Sequence, residues 1–478
     1  MKTKRILSLL LLFVLVGLGV LITVRLLGGR PDAIKSRADR HYEAGEYDSA
    51  LLEYRRLLSK EGHEAYAARR AGFIWLDRGA PLNALPFLAD SLARAPDDVE
   101  TKRRWAETLA GIGEFPRARA AALEVLDSDP TNGKALLVLA NCSFGDEQTA
   151  EARERLARFD PSKDVFPLLA DTILLGREGK PAEVEGVMKK AASLAPASVD
   201  VQLALASFHE IRREGDLALE ALQRAADKAE GRSSAPLRYA RALFATGKRD
   251  EARKRVEAIL DRYPDYLPAR WTLAELQANA GDPEAALESL DKVFRFSPAS
   301  LEGRTLEARI HLSRNEPDKA VKAYEILRSA YPDSPRINLE MANYYIRSNQ
   351  ADSARILLEE AVKKTTPADR AHADAVLRLA RLDLTQQEAP NASRRLETLL
   401  KEKIFRGLPK SLQDRAFHED RPVIPGGSIV MLAHSHSGIK SPAPRRIPGI
   451  NIEKADLSVV PDQGVGKTDP GNKVLSPE

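Results

Sequence analysis

Three histidines near the C-terminus come nearest, by residue type and spacing, to a site that could do chemistry. His434 and His436 stand two positions apart in the stretch AHSHSG, and His418 lies upstream of them. Two imidazoles at this spacing could bind a transition metal ion, but a complete site needs more ligands and a scaffold that fixes their geometry. The flanking residues are proline and glycine, and no carboxylate is close by. We therefore expect no metal site here, and no cofactor.

The stretch GVGKT, at Gly464–Thr468, superficially resembles a phosphate-binding loop. That loop requires glycine, four residues of any type and then Gly-Lys-Ser/Thr, placed between a strand and a helix. The first glycine would fall at position 461, which is Pro461. The sequence also lacks the serine-hydrolase elbow and the His-Glu-x-x-His motif. The single cysteine, Cys142, is expected to be a small core residue. The sequence thus predicts neither an enzyme nor a small-molecule substrate.

The elements that must position any functional residue follow an internal repeat of 34 residues. Pro298 recurs as Pro264 and Pro332, and small residues and turn residues form parallel series. These series are Ala240, Ala274, Ala308 and Ala342; Gly247, Gly281, Asn315 and Asn349; and Ala252, Ala286, Ala320 and Ala354. An earlier block keeps the frame with Gly45, Gly79 and Gly113 at the turn. Self-similarity at such a period is typical of repeat architectures.

Each recurring residue type has a mechanical role in a pair of helices. Small residues such as Ala274 and Ala286 let two helices approach closely, and Gly281 between them can adopt the left-handed conformation that ends a helix. Pro298 cannot continue the second helix and turns the chain into the next unit. Leucine and alanine must carry the packing, because aromatic residues make up only 6% of the chain. We therefore predict an all-α fold of stacked helix pairs.

This pattern resembles the tetratricopeptide repeat family over residues 31–405. The predicted units are 31–64, 65–98, 99–132, 133–162, 163–198, 199–232, 233–266, 267–300, 301–334, 335–368 and about 369–405. The resemblance implies an α-solenoid, a right-handed superhelix whose first helices line a concave groove that binds a protein partner. Carried over position by position, the groove-facing candidates are Lys35, Asp39, Arg69, Phe73, Arg103, Glu107, Asn141, Arg241, Trp271, Glu275, Arg309, Asn343 and Arg381.

The candidate groove has mixed charge, which favours a folded or mixed-charge partner. Some members of the family clamp a C-terminal carboxylate with lysine, asparagine and arginine from three adjacent repeats, and no three adjacent units here carry that set. Four units depart from the pattern: the fourth is short, the fifth carries about two extra residues, the sixth lacks its closing proline, and the last has Pro390 before its second helix. We expect a bend or a sub-domain boundary near residues 145–180 or 212–235.

Length and charge exclude other classes of protein. A chain of 478 residues is too long for one compact core, whereas a repeat array has no such limit. The 73 basic and 69 acidic residues leave a net charge of only +4, without a long basic run. We therefore expect no nucleic acid as a partner.

Residues 1–29 are predicted to be an uncleaved signal anchor that forms a transmembrane helix. Lys2, Lys4 and Arg5 precede an uncharged apolar run at residues 6–24, and a helix of this length spans about 28 Å. A cleaved signal peptide, the alternative, has a shorter apolar region followed by a small-residue cleavage site. The basic N-terminus favours export of the bulk of the chain, while basic residues just after the run favour the opposite orientation.

Residues 406–478 differ in composition from the repeats. Proline and glycine are dense there, and no helical period remains. This composition predicts a largely disordered tail. The short apolar stretch at residues 428–433 is a candidate for ordering on a partner.

Together these features predict a membrane-anchored scaffold for protein–protein interaction at the bacterial cell envelope. The bulk of the chain would lie on the periplasmic side of the inner membrane, where it would serve assembly of secreted polysaccharide, outer-membrane components or secretion machinery. One alternative is a cytoplasm-facing regulatory adaptor, similar in outline to the anchored repeat protein that regulates lipopolysaccharide synthesis. That protein's cysteine-ligated metal module cannot be built with Cys142 alone. A second alternative is an enzyme whose site lies in the tail or in residues 133–232.

Overall fold

The computed structural model describes residues 29–332, 334–365 and 370–401. The predicted anchor at residues 6–24, the tail from residue 406, its three histidines and the GVGKT stretch all lie outside the described residues. Within the described ranges, no helix is both long enough and apolar enough to span a membrane. The membrane anchor therefore stays a prediction.

Eleven pairs of α-helices and no strands make up the described part of the chain, and they correspond to the eleven predicted units. In chain order the helices are α1 Pro31–Glu43, α2 Tyr47–Leu57, α3 Glu64–Asp77, α4 Pro81–Arg94, α5 Val99–Gly111, α6 Phe115–Ser128, α7 Gly133–Cys142, α8 Gly145–Leu156, α9 Phe166–Arg177, α10 Pro181–Leu194, α11 Val199–Ile211, α12 Gly215–Lys228, α13 Ala235–Ala245, α14 Arg249–Arg262, α15 Leu267–Asn279, α16 Pro283–Phe294, α17 Leu301–Ser313, α18 Pro317–Ala330, α19 Pro335–Arg347, α20 Ala351–Lys363, α21 Arg370–Thr385 and α22 Ala389–Lys401.

The turn inside each pair depends on one residue in the left-handed conformation, as the sequence pattern predicts. Gly281 has φ +88°, and Asn315 takes the same place in the next pair with φ 58°. Prolines such as Pro283 then occupy the first turn of the second helix, where a missing N–H has no helical partner to lose. The second helix of this pair ends at Phe294, four residues before the closing Pro298.

Small residues at the crossing of the two helices are completely buried. Ala274 and Ala286 expose no surface, and a Cβ added to Gly72 would lie 2.7 Å from Cδ2 of Leu88. Contacts this close leave no room for a larger side chain. Cys142 is buried in the apolar cluster that the units around α5–α9 share, which confirms its predicted role as a core residue.

Successive pairs pack on each other asymmetrically. Each second helix contacts the first helix of the next pair, and first helices also contact one another, as α5 does with α7, α7 with α9 and α13 with α15. Second helices of successive pairs make no contact of comparable extent. The first helices therefore lie on the more crowded side of the array.

The irregular units do not divide the array. All described residues fall in one compact unit, so the expectation of a sub-domain boundary near residues 145–180 or 212–235 is wrong. The shortened fourth unit is absorbed by a ten-residue α7, which still packs against α9. A bend at either place stays a prediction.

Candidate protein-interaction surface

All thirteen predicted groove residues lie on the first helix of their pair. This set, which we call the first-helix face, is spread over α1, α3, α5, α7, α13, α15, α17, α19 and α21. Whether the face binds a partner is a prediction that these contacts do not decide. They do show which side chains are engaged within the protein and which are accessible.

In the first two pairs, the acidic candidate is occupied by internal hydrogen bonds. Asp39 accepts hydrogen bonds from the hydroxyls of Tyr54, at 2.7 Å, and Tyr66, at 2.6 Å. Burial and these bonds to Asp39 raise the pKa of both tyrosines, so that both stay protonated donors. Lys35 Nζ lies 4.2 Å from the centre of the Tyr66 ring. Asp39 and Lys35 therefore tie the first pair to the second.

Arginines join neighbouring first helices farther along the face. Arg69 pairs with Asp98 at 3.0 Å, and Arg104 lies over the ring of Phe73 at 5.4 Å. Arg103 is buried between two carboxylates of its own helix, Glu100 and Glu107. These contacts leave little of Arg103 for a partner, while Asn141 on α7 is exposed.

The structure brings three candidates together between α13 and α15. Arg241 Nε donates to Glu275 at 2.7 Å, its Nη2 donates to Thr272 Oγ1 at 2.7 Å, and its guanidinium lies 4.4 Å from the centre of the Trp271 ring. Trp271 is half-buried and also packs against the cores around it. One face of this indole is therefore covered, which restricts how Trp271 could contact a partner.

The last three pairs carry the most accessible candidates. Arg309 on α17 and Arg381 on α21 are exposed, and Asn343 on α19 is half-buried. Arginine is one of the residue types that dominate binding energy at protein interfaces. The part of the first-helix face formed by α17, α19 and α21 is thus the part that structure and residue type most favour for binding.

One long-range contact was not predicted from the sequence: the loop that leads into α15 lies against the turn between α3 and α4. Arg78, in the turn between α3 and α4, donates to Asp265 at 2.9 Å and to Asp48 at 2.6 Å. Only 2% of the Arg78 side chain is exposed. Asp265 lies six units away, in the loop that leads into α15. We call the contact between these two regions the closure contact.

Cations and carboxylates alternate through the closure contact. Asp265 also accepts from Arg232 at 2.6 Å, and the Arg232 guanidinium lies 4.2 Å from the centre of the Tyr47 ring. Burial alone would raise the pKa of Asp265, but the hydrogen bonds from Arg232 and Arg78 outweigh burial and hold that pKa below its usual value. The carboxylate is therefore charged and bridges two nearly buried arginines.

Backbone and apolar groups complete the closure contact. The Leu267 N–H donates to the Arg78 carbonyl at 3.0 Å, and Asn83 Nδ2 donates to the Phe296 carbonyl at 3.0 Å. Between these hydrogen bonds lies an apolar cluster whose members come from both regions: Trp75, Ala80, Leu267, Trp271, Val293, Phe294 and Phe296. Charge pairing, hydrogen bonding and apolar burial thus coincide at one place.

The described residues show neither a reactive thiol nor a cluster that could bind a metal ion. Burial raises the pKa of the Cys142 thiol to about 12, so it stays protonated at neutral pH and is a poor nucleophile. Across the described ranges, no group of three or more His, Cys, Asp or Glu side chains is placed to hold a metal ion.

Two sequence-family models match parts of the array. A tetratricopeptide repeat model matches residues 213–276 and 311–373, and a second tetratricopeptide repeat model matches residues 103–163. These three segments lie within the array that was predicted from the 34-residue period. No curated protein has a significantly similar sequence.

Solved structures with a similar chain path include three proteins of low sequence identity. Yeast Tom70 is 14% identical, with a TM-score of 0.40 over 81% of this chain and 89% of that chain. A tetratricopeptide repeat protein from Parabacteroides merdae is 16% identical, with a TM-score of 0.36 over 54% of this chain and 98% of that chain. The APC/C hetero-tetramer Cut9-Hcn1 contains a chain that is 15% identical, with a TM-score of 0.33 over 81% and 89%.

Proposed function

We propose that this chain of tetratricopeptide repeats is a non-catalytic scaffold that binds a protein partner on its first-helix face. The observation that carries this proposal is the packing of the first helices. Several successive first helices contact one another, as α5 does with α7 and α13 with α15, while successive second helices make no contact of comparable extent, and this packing favours an array that curves with its first helices inward. A long inward-curving surface is what a helical repeat offers to another polypeptide.

The chemistry of the first-helix face supports the same proposal. Its accessible members are arginines and asparagines, which can bond to peptide carbonyls and to acidic side chains. A polypeptide is therefore the partner that the surface favours.

Site-specific photocrosslinking in living cells tests the proposal. A photoreactive residue is placed at Arg309 or Asn343 on the first-helix face, and at Ile356 on the second helix α20 as a matched control. Ile356 is 60% exposed, so a photoreactive residue there is at least as accessible as one at the half-buried Asn343. We expect a discrete protein adduct from Arg309 and Asn343 and none from Ile356. The same adduct from all three positions, or no protein adduct from either test position, would contradict the proposal.

The site of action is a separate part of the proposal, supported by sequence alone. We propose that residues 6–24 anchor the chain in the bacterial inner membrane with the repeats on the periplasmic side, where they act in assembly at the cell envelope. Alkaline phosphatase fused after Glu478 should then be active, because that enzyme folds only after export. An inactive phosphatase together with a fluorescent cytoplasmic reporter at the same position would place the repeats on the other side.

A further inference from the structure

We infer that Arg78 and Asp265 fasten the second to eighth helix pairs into a closed loop, and that an extended segment of a protein partner reaches the enclosed face when this fastening opens. The inference rests on the proposed function, because it names the form of the partner and the route to the first-helix face. It adds a gate, by which we mean that the closure contact controls access to the first-helix face.

The closure joins opposite edges of the array. Arg78 and Tyr47 lie where a first helix turns into its own second helix, at one edge of the stack. Asp265, Arg232 and Phe296 lie where a second helix leads to the next pair, at the other edge. Because the two edges meet after six units, the array completes one turn between them. The end of this turn contacts its beginning. The first helices between these points then face an enclosed space.

The width of the space inside this loop decides whether an extended or a folded partner can enter it. Helices that pack together lie about 8–10 Å apart, and successive first helices pack at three of the six steps from α3 to α15. Taking this spacing for every step gives a perimeter of about 60 Å and about 20 Å between opposite axes. Subtracting one helix diameter, about 10 Å, leaves a clear width of about 10 Å. One extended chain with its side chains has this thickness, since stacked sheets pack about 10 Å apart. A folded domain is too wide to enter.

The closure contact has the composition of a joint that can open. Its network of ions lies beside a small apolar cluster with three buried members, and Asp48 at its rim is 79% exposed. No peptide segment links the two regions directly, so they are held together by ion pairs, apolar side chains and two hydrogen bonds that involve the backbone. Opening it separates two edges and leaves each helix pair intact.

A distance measurement between spin labels tests the gate. Labels on cysteines introduced at Ala93 in α4 and Asp291 in α16, both exposed, report on the two sides of the closure. The native Cys142 is buried and does not compete for label. The variants are Arg78→Ala and the milder Asp265→Asn. The matched control is Arg314→Ala, because Arg314 occupies the equivalent turn position and forms ion pairs with Glu284 and Glu316 within its own neighbourhood.

We expect one narrow distance distribution in the parent protein and in Arg314→Ala. Arg78→Ala and Asp265→Asn should add a population at longer distance. Identical distributions in all four proteins, with circular dichroism showing that each is folded, would overturn the closure as a gate.

Peptide association tests the form of the partner. The probe is a 12-residue peptide selected by phage display on the intact parent protein. It is used as a free peptide and also inserted between two folded domains, which prevent it from entering the closed loop end first. If the open form is about a tenth of the population, the inserted peptide should associate about tenfold faster with Arg78→Ala than with the parent. Equal rates for the two proteins would overturn the gate. Failure to select any peptide would contradict the proposed function, while the label distances would still decide whether the loop is closed.

Discussion

Arg78 shows how much one residue can depend on distant parts of the chain. Its guanidinium is almost fully removed from water, and such burial is tolerated only because two carboxylates and three aromatic rings surround it. A buried ion pair is weak evidence for stability, because desolvation offsets the attraction between the charges. Removing one partner is a different matter, since the remaining charge stays buried without compensation.

We therefore expect Asp265→Asn to lower the free energy of unfolding by about 3 kcal/mol, because Arg78 and Arg232 lose their shared carboxylate. Asp97→Asn is the matched control: Asp97 also follows a closing proline, but it is exposed. Urea unfolding followed by tryptophan fluorescence, to which Trp75 and Trp271 in the closure contact contribute along with Trp105, gives both values. Equal values for the two variants would show that Asp265 contributes no more than a surface carboxylate.

Acid should weaken the closure contact through the same residue. The hydrogen bonds from Arg232 and Arg78 hold the pKa of Asp265 below its ordinary 3.8. A carboxylate with a lowered folded pKa stabilises the fold fully above its unfolded pKa and loses this contribution as the pH falls through the folded pKa. The charged groups that face Asp265 are Arg78, Arg232 and Arg270, with Asp48 on the far side of Arg78.

Stability of the parent relative to Asp265→Asn should thus be constant between about pH 5 and 8 and should shrink below about pH 4. Parallel unfolding titrations of the two proteins across this range measure the difference. If the stability difference between the two proteins instead changed near neutral pH, a titrating group other than Asp265 would control the closure contact.

Gly79 offers a test that changes no charge. It has φ +74° and lies against Pro268, where an added Cβ would be 2.3 Å from the proline ring. Gly45 has the same φ at the equivalent turn, and nothing lies within 4 Å of its position. Gly79→Ala and Gly45→Ala therefore share the backbone strain, about 1 kcal/mol. Only Gly79→Ala should also displace the closure, seen as a lower melting temperature than that of Gly45→Ala and as longer label distances. Equal behaviour of both variants would contradict the contact.

At the scale of the helix pair, the sequence contains nearly all the information needed to predict the structure. Small residues, turn residues and closing prolines recur every 34 positions, and each acts within its own pair or on the next one. Such local rules are visible in a sequence because the residues that interact are near one another in the chain. The helices, their pairing and the burial of Ala274 and Ala286 were predictable for this reason.

Overpacking the crossing of one pair should have a local effect. Ala286→Leu places a larger side chain where no surface is exposed and should destabilise α15 and α16 by about 1–3 kcal/mol. Ala285→Leu, one position away and only half-buried, has similar helix propensity and is the control. Hydrogen exchange should show faster exchange in these two helices and their immediate neighbours for Ala286→Leu alone. Uniform acceleration across all eleven pairs would contradict the nearest-neighbour view of the array.

The location of the first-helix face was predictable from the sequence, whereas the contacts of its side chains were less so. The period places all thirteen residues on first helices, and the structure agrees. Asp39, Arg103 and Trp271 prove to be engaged by Tyr54, Glu107 and Arg241. The partners of Asp39 and Trp271 come from another helix, so the sequence does not show that these side chains are engaged. Glu107, by contrast, lies four residues after Arg103 on the same helix, a spacing that is visible in the sequence.

At the scale of the whole array, the closure contact cannot be predicted from rules that relate residues near one another in the chain. Arg78 and Asp265 are 187 residues apart, and Arg314 has the same residue type at the same turn without any distant partner. The small rotation from each pair to the next accumulates over six units, so whether the two edges meet depends on angles that no single residue encodes. One signal was present: the sixth unit lacks its closing proline, and the loop that replaces it supplies Arg232.

The central claim is that the first-helix face binds a protein partner, and the affinity of the crosslinked partner for variants of this face tests it most directly. Arg309→Ala combined with Asn343→Ala should weaken binding at least about tenfold, as removal of arginine-centred contacts commonly does. Ile356→Ala removes a large exposed side chain from a second helix and should leave the dissociation constant unchanged. An unchanged affinity in the double variant, or an equal loss in Ile356→Ala, would contradict the account.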